Sequence, residues 1–215
     1  YFLLDGAAAN VGSKCGCFSS SDNKRQRIAV TIGTSAAARV CLPLPVVSSQ
    51  DEIESIISIP PGLFCYRVNK STILVGGALT DGGSVIEWAR SLFNLQSTES
   101  FDACINEVTK MYDKRCCVPL SSSSLSSGNV TMLPFLTGER STGYRSGARG
   151  CISSISRETT ANDIMYACLE SVVLRLVCVL QLIENVSSRQ VEESKPHQTV
   201  IVASGSALEC STLWR

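Results

Sequence analysis

The chain has 215 residues, 44% of them hydrophobic and 18% charged, which suits one globular domain of ordinary size, or one and a fraction, and argues against disorder. Lys plus Arg and Asp plus Glu number 19 each, so no large electrostatic field exists and neither nucleic acid nor an anionic membrane is expected as a partner. A neutral chain can still hold a local phosphate site built from backbone N–H groups.

In chain order, Phe2 to Leu4 reads as a strand end passing through Asp5-Gly6 into a short helix, followed by a polar loop over Lys14 to Arg27. Arg27 to Ile32 is β-branched, ends at the turn signal Gly33-Thr34-Ser35, and resumes as Ala36 to Val40, which predicts a hairpin. Pro43, Pro45, Pro60 and Pro61 bracket a loop-rich stretch with a short strand expected at Ile53 to Ile59. Leu63 to Val68 and Ser71 to Val75 form a second pair of strand-like runs, closed by Gly76-Gly77-Ala78 and Asp81-Gly82-Gly83. Ser84 to Phe93 has helical apolar spacing, with Ser84 as the expected N-cap. Phe101 to Tyr112 predicts a second helix with Phe101, Cys104, Ile105, Val108 and Met111 on one face. Ser121 to Ser127 is a low-complexity serine loop. Met132 to Leu136 leads into a glycine-punctuated stretch, and a long helix follows from about Ala161 to Val186, with Thr160 and Asp163 spaced as a capping box. Thr199 to Ala203 is a strand closed by Ser204-Gly205-Ser206-Ala207, and Trp214-Arg215 reads as the start of a helix. The alternation is that of an α/β domain.

The 11 cysteines lack the C-x₂-C…C-x₂-C spacing of a zinc site, so no metal site is expected, and they read as reduced and mostly buried thiols of a cytoplasmic protein, with an organelle left open. No secretory leader is visible at the start of the sequence. The apolar run Ile164 to Ile183 approaches the length of a membrane span but carries Glu170 and Arg175 in its middle, so a buried or half-buried helix is expected. The single His197 lies in a polar loop and supports no Ser-His-Asp arrangement. Neither G-x-x-x-x-G-K-[ST] nor G-x-G-x-x-G is present.

Four glycine-centred turns, each abutting a strand, are the chemical signal: Asp5-Gly6, Gly33-Thr34-Ser35, Asp81-Gly82-Gly83 and Ser204-Gly205-Ser206-Ala207. Glycine lets a ligand approach the backbone, and consecutive N–H groups can cradle phosphate; for any one of them alone ordinary turn chemistry is the stronger reading, and it is their order and spacing that shift it.

Taken with their neighbours, these segments resemble the second half of an FGGY carbohydrate kinase. Asp5-Gly6-Ala7-Ala8-Ala9-Asn10-Val11-Gly12 is similar to the family's "GDGAAANxG" segment, and Ala29 through Ser35 to its phosphate hairpin. Val75 to Gly83 with Trp88 resembles the next block, and Leu133-Pro134-Phe135-Leu136-Thr137-Gly138-Glu139-Arg140 the "PYLxGER" block of gluconokinase- and xylulokinase-like members. Gly150 to Ile164 with Ala167 to Glu170 resembles the C-terminal signature, and Ser204 to Ala207 with Leu213-Trp214 the adenine-site block.

The resemblance implies an actin-like (ribonuclease-H-like) ATPase domain, incomplete, with residues 1–215 forming part of the nucleotide-binding half. The N-terminal sugar-binding domain is expected to lie outside the sequence, which is read as cut short at both ends. The implied reaction is phosphorylation of a sugar or sugar-acid hydroxyl by ATP with Mg2+, in a protein for which a homodimer at full length is an open expectation; this chain alone is expected to be inactive. Asp5 matches the general base. Gly33 and Thr34 would touch the ATP phosphates, Gly82 and Gly83 would admit a phosphate to the backbone, and Gly205 and Ala207 would line the adenine pocket. Glu139 and Arg140 read either as a functional pair or as an ion pair holding their loop, and Glu170 as solvated or paired. The sequence departs from the family pattern at Leu4, Ser154 and Ser206, where glycine is usual, and at Arg215, where glutamine is usual. An inactive paralogue that only binds nucleotide or protein is the alternative reading.

Overall fold

The computed structural model describes residues 25–44, 58–116, 130–190 and 198–209. Asp5 to Gly12, most of the expected strand at 53–59, the serine loop, His197 and residues 214–215 lie outside them. The described elements are β1 (Arg25–Ile32), β2 (Ala36–Pro43), β3 (Phe64–Asn69), β4 (Thr72–Leu79), α1 (Gly83–Leu92), α2 (Thr98–Cys116), β5 (Thr131–Leu133), β6 (Cys151–Ser153), α3 (Ala161–Gln190), β7 (Gln198–Ser204) and a 3₁₀ turn at Ser206–Glu209. Strands β3-β4-β2-β1-β7 form one sheet in that order, and β5 pairs with β6. The first four strands run antiparallel to their neighbours, while β7 runs parallel to β1.

Strand register aligns the β-branched residues into rows on one face. Ile28, Val40 and Val75 form one row; Val30, Ala38 and Gly77 the next; Ile32, Ala36 and Leu79 the third. All these apolar side chains are buried in a single core with α1, α2 and α3. The middle row tapers from valine to glycine, and α3 crosses the sheet there. A Cβ on Gly77 would sit 2.6 Å from Cγ1 of Val179 and 3.0 Å from Oγ of Ser141. Val172, Val179 and Ile183 are completely buried, and each such burial contributes roughly 1.5–3 kcal/mol.

This packing corrects the expectation that the fourth strand ends at Val75. β4 continues through Gly76 and Gly77 to Leu79. Both glycines lie where neighbours approach the backbone: a Cβ on Gly76 would meet the carbonyl of Ala38 at 2.6 Å and the ring of Phe64, its cross-strand partner, at 2.9 Å.

The helix ends follow local rules with one exception. At α3, Thr160 Oγ accepts from the N–H of Asp163, and the Asp163 carboxylate accepts from the N–H and hydroxyl of Thr160, completing the expected box. At α2, the Ser97 hydroxyl accepts from the N–H of Ser100. At α1, however, Gly82 is the N-cap with no side-chain cap, and Ser84 lies inside the helix. α1 ends where Asn94 adopts φ +56, a left-handed conformation asparagine tolerates.

α3 is long and apolar enough to cross a membrane by length and composition, and half of its apolar window is buried. Its outward side exposes Val173, Leu174 and Val177, while Glu170 accepts a hydrogen bond from the Tyr166 hydroxyl. The cysteines differ from expectation. Among the six free thiols described, Cys104 and Cys168 are buried, Cys41 is half-buried, and Cys65, Cys151 and Cys178 are exposed. Burial pushes the Cys168 thiol up to about 12.

Ser154, at the exit of β6, adopts φ +61 on an exposed segment. A left-handed serine costs about 1 kcal/mol relative to glycine. Ser154→Gly is therefore expected to raise unfolding free energy by about 1 kcal/mol, seen as a higher denaturant midpoint at unchanged slope; an unchanged or lower midpoint would refute the strain.

Candidate functional site

Three turns meet at one end of the sheet. The β1–β2 turn (33–35) sits against the first turn of α1. The N–H groups of Gly82 and Ser84 donate to the carbonyl of Thr34 at 3.0 and 3.1 Å, and that of Gly83 donates to the carbonyl of Gly33 at 2.7 Å. The N–H of Val85 goes to the carbonyl of Gly82. The donors that a helix start leaves without intrahelical partners are here satisfied by the hairpin turn. The exit of β7 completes the cluster. Ala207 is buried against Gly83, and Gly205 lies on the backbone of Ile32, the last residue of β1. The Thr31 and Ser204 hydroxyl oxygens stand 3.2 Å apart at the same strand ends.

Six of the seven residues expected at the site are thus brought together: Gly33, Thr34, Gly82, Gly83, Gly205 and Ala207. The seventh, Asp5, lies outside the described residues. The glycines divide into two kinds. A Cβ on Gly82 would stand 2.7 Å from the carbonyl carbon of Ser35, and one on Gly83 would stand 2.9 Å from the carbonyl oxygen of Gly33. Gly205 adopts φ +118, and its Cβ would overlap the backbone of Ile32. These three are required by the approach of one protein segment to another. Gly33 is different. A Cβ there meets nothing nearer than the Ser35 carbonyl at 3.9 Å, so its smallness leaves open space on the outer side of the turn. Its own N–H is given to the carbonyl of Ser35 at 2.9 Å, whereas Thr34 and Ser35 are exposed. Ser206 is not among the residues with positive φ, so the side chain standing in place of the usual glycine creates no backbone strain.

Next to Asp81 lies a small, open cleft, lined on one side by Leu79, Thr80 and Asp81 and on the other by Phe135, Glu139, Arg140, Ser141 and Arg175. Loop 138–144 docks on β4 beyond the end of β3. The N–H of Ala78 donates to Oγ of Ser141 at 2.9 Å, the N–H of Ser141 donates to the carbonyl of Ala78 at 3.0 Å, and the Thr80 hydroxyl donates to the carbonyl of Gly138 at 2.8 Å. Glu139 pairs with Arg175 of α3, not with Arg140, correcting the expected adjacent ion pair. Arg175 also donates to the carbonyl of Ser141 at 2.7 Å and lies over the Phe135 ring, 5.0 Å from its centroid. Adjacent residues rarely face each other in an irregular loop, and a planar guanidinium anchored on a buried helix satisfies the half-buried Glu139 better.

Asp81 is a participant that the sequence shows only as a turn residue. It is 4% exposed. Its carboxylate lies 3.5 Å from the hydroxyls of Thr137 and Ser84, and the backbone N–H groups of Thr137 and of Leu136, the latter also donating to the carbonyl of Pro134 at 3.0 Å, favour its charged form. Burial pushes its carboxyl above the ordinary value of 3.8, against the pull of these donors. Its signal in the sequence is an acid directly before the glycine pair that opens a helix.

Two predictions follow from this geometry. Gly205→Ala forces a side chain into the Ile32 backbone at a left-handed φ and is expected to lower stability by about 2 kcal/mol in denaturant titration; a neutral effect would show that the β7 exit does not pack as described. Because the native state holds the Asp81 proton more tightly than the unfolded chain, its contribution to stability falls as pH rises from about 3.8 through the raised native value. The stability of the wild type relative to Asp81→Asn is therefore expected to decline over that window and level off above it; a difference that rises with pH would reverse the assignment.

The family model for the C-terminal domain of the FGGY family of carbohydrate kinases matches residues 28–215. Gluconokinase of Bacillus subtilis is 26% identical over 175 residues, covering 81% of this chain and 30% of its own. Gluconokinase of Bacillus licheniformis is 24% identical over 179 residues with the same coverage, 81% and 30%. The chain therefore spans about a third of the length of the curated relatives it matches. Among solved structures, gluconate kinase from Lactobacillus acidophilus superposes with a TM-score of 0.54 at 25% identity, over 85% of this chain and 31% of that one. Xylulose kinase from Bifidobacterium adolescentis superposes with a TM-score of 0.61 at 15% identity, over 94% and 32%, a likeness of fold. The mixed sheet with its covering helices is accordingly part of an actin-like ATPase fold, and the chain belongs to the FGGY family of carbohydrate kinases, matching its C-terminal domain.

Proposed function

We propose that this chain is the nucleotide-binding part of a kinase that transfers the γ-phosphoryl group of ATP to a hydroxyl of a sugar or sugar acid. The observation that carries the reading is the β1–β2 turn. Gly33 is the one glycine of the junction whose missing side chain no neighbour requires, and it stands beside the exposed Thr34. An open glycine next to a free hydroxyl suits close approach by a polyanion. The N–H groups of Gly82, Gly83 and Ser84 are engaged by the turn itself. The contact to phosphate therefore falls to the outer side of residues 33–35, with Thr34 Oγ donating.

Phosphoryl transfer needs mostly positioning and charge stabilisation. The turn would supply position on the phosphate side. Asp5, by its resemblance, would accept the proton of the attacking hydroxyl, which leaves as the new O–P bond forms and the bond to the β-phosphate oxygen breaks. Among the described residues no group of three or more His, Cys, Asp or Glu is placed to hold a metal ion. Mg2+ would arrive with the nucleotide, held chiefly by phosphate oxygens and water, and would neutralise charge there. The two gluconokinase relatives put gluconate first among acceptors to test.

The test is MgATP-dependent turnover by the intact protein on gluconate, xylulose, ribulose and glycerol. Turnover on one acceptor is expected, lowered about 10²- to 10⁴-fold by Asp5→Asn, with Thr34→Ala raising KM for ATP. ATP binding without turnover on any acceptor would overturn the transferase reading, and absence of ATP binding would overturn the nucleotide reading.

A further inference from the structure

Three features outside the proposed contacts invite a role: the outward apolar side of α3, the exposed thiols, and the buried acid behind the α1 turn. Nothing in the structure indicates what would cover α3, and no second feature accompanies any exposed thiol. The buried acid is different, because a continuous set of hydrogen bonds connects it to the turn that would meet phosphate.

Asp81 sits between two bodies. On one side is loop 134–137, which follows β5 and is held to the core through β5, β6 and α3. On the other is the first turn of α1, which holds the β1–β2 turn by three N–H donors. Asp81 joins them: its Oδ1 stands 3.5 Å from the Thr137 hydroxyl on the loop side and 3.5 Å from the Ser84 hydroxyl on the helix side, while its own peptide leads directly into Gly82. No cation bridges this carboxylate among the described residues, although Arg140 and Arg175 line the same cleft. A buried carboxylate held only by neutral donors is unfavourable for stability by itself. An apolar residue would fill the volume at lower cost, yet would take away the acceptor that the Thr137 and Ser84 hydroxyls face and leave the turn untied.

We propose that Asp81 is a positioning residue for ATP: by fixing the first turn of α1 to loop 134–137, it sets the height of the β1–β2 turn and so the place where Thr34 meets phosphate. This rests on the nucleotide reading above and adds to it a residue that does not touch the ligand. Asp81 acts through Gly82, Gly83 and Ser84 on the carbonyls of Gly33 and Thr34, and through them on the exposed side of the turn. Since the effect on ATP is routed through Thr34, the two residues must be coupled.

The experiment compares the intact wild type with Asp81→Ala, Thr34→Ala, the double variant and Asp81→Asn, reading MgATP affinity and amide hydrogen exchange. Asp81→Ala is expected to weaken MgATP binding about 10-fold and to speed exchange at Gly82, Gly83 and Ser84 while Leu74 and Val75 in β4 stay protected. Thr34→Ala is expected to cost little more in the Asp81→Ala background than its absence would, so the losses do not multiply. Asp81→Asn, which keeps an acceptor facing the Thr137 and Ser84 hydroxyls, is expected to restore most of the affinity. Should Asp81→Ala not fold, Asp81→Glu keeps charge and acceptors but displaces the turn by one methylene, and the same loss with intact β4 protection is expected. Affinity unchanged in either variant, or losses that multiply with Thr34→Ala, would overturn the positioning role while leaving the nucleotide reading intact. No MgATP binding by the wild type would instead overturn the nucleotide reading and this inference with it.

Discussion

The junction depends on one exchange of hydrogen bonds: the first N–H groups of α1 are given to the carbonyls of the β1–β2 turn. A helix start left to itself offers unsatisfied donors and a partial positive charge, the usual makings of an anion site. Here Gly33 and Thr34 occupy those donors with protein oxygen. The consequence is geometric. Two segments can share three bonds only if their backbones come within van der Waals distance, which removes the side chains at 82 and 83. The polarised face is thereby moved outward, from the helix start to the turn that covers it.

The same logic of close approach organises the core below. α3 lies over the sheet where the central row tapers through Ala38 to Gly77, so that Val179 reaches the sheet. Ser141 takes the backbone groups of Ala78 that β3 is too short to reach, and Arg175 holds the Ser141 loop from α3. One helix therefore both seals the core and anchors the loop that carries the donors to Asp81. A shift of α3 against β4 would be transmitted to the turn through contacts between rigid elements, not through a flexible linker.

Much of this arrangement is legible in the residues, where the rule involved is local. The hairpin around Gly33, the capping box at Thr160 and Asp163, and the apolar period of α2 are properties of a few consecutive positions, and they stand where the spacing puts them. The features that escape are those decided by a partner distant in sequence. Gly76 and Gly77 read as a turn because glycine weakens a strand in isolation; they are strand because Phe64 and Val179 need the space. Ser84 reads as a cap because nothing local shows that hairpin carbonyls take the donors. β6 is three residues of ordinary character, extended only because β5 lies beside it. Glu139 belongs to Arg175, 36 positions away, a pairing that adjacency conceals.

The two serines that stand where glycine is usual show how far such a reading of substitutions can go. In the sequence Ser154 and Ser206 look like equal losses of conformational freedom. In the structure Ser206 starts a 3₁₀ turn without positive φ, because the left-handed step falls on Gly205. Ser154 alone takes the strained conformation, on an exposed segment at the end of β6. Its strain is a term in stability, of about 1 kcal/mol, and not an obstruction at the three-turn junction. A glycine replaced in a motif therefore has no fixed meaning. The φ angle at that position and the atoms its Cβ would meet decide whether the change falls on folding or on the site, and for this chain both serines leave the turn at residues 33–35 open.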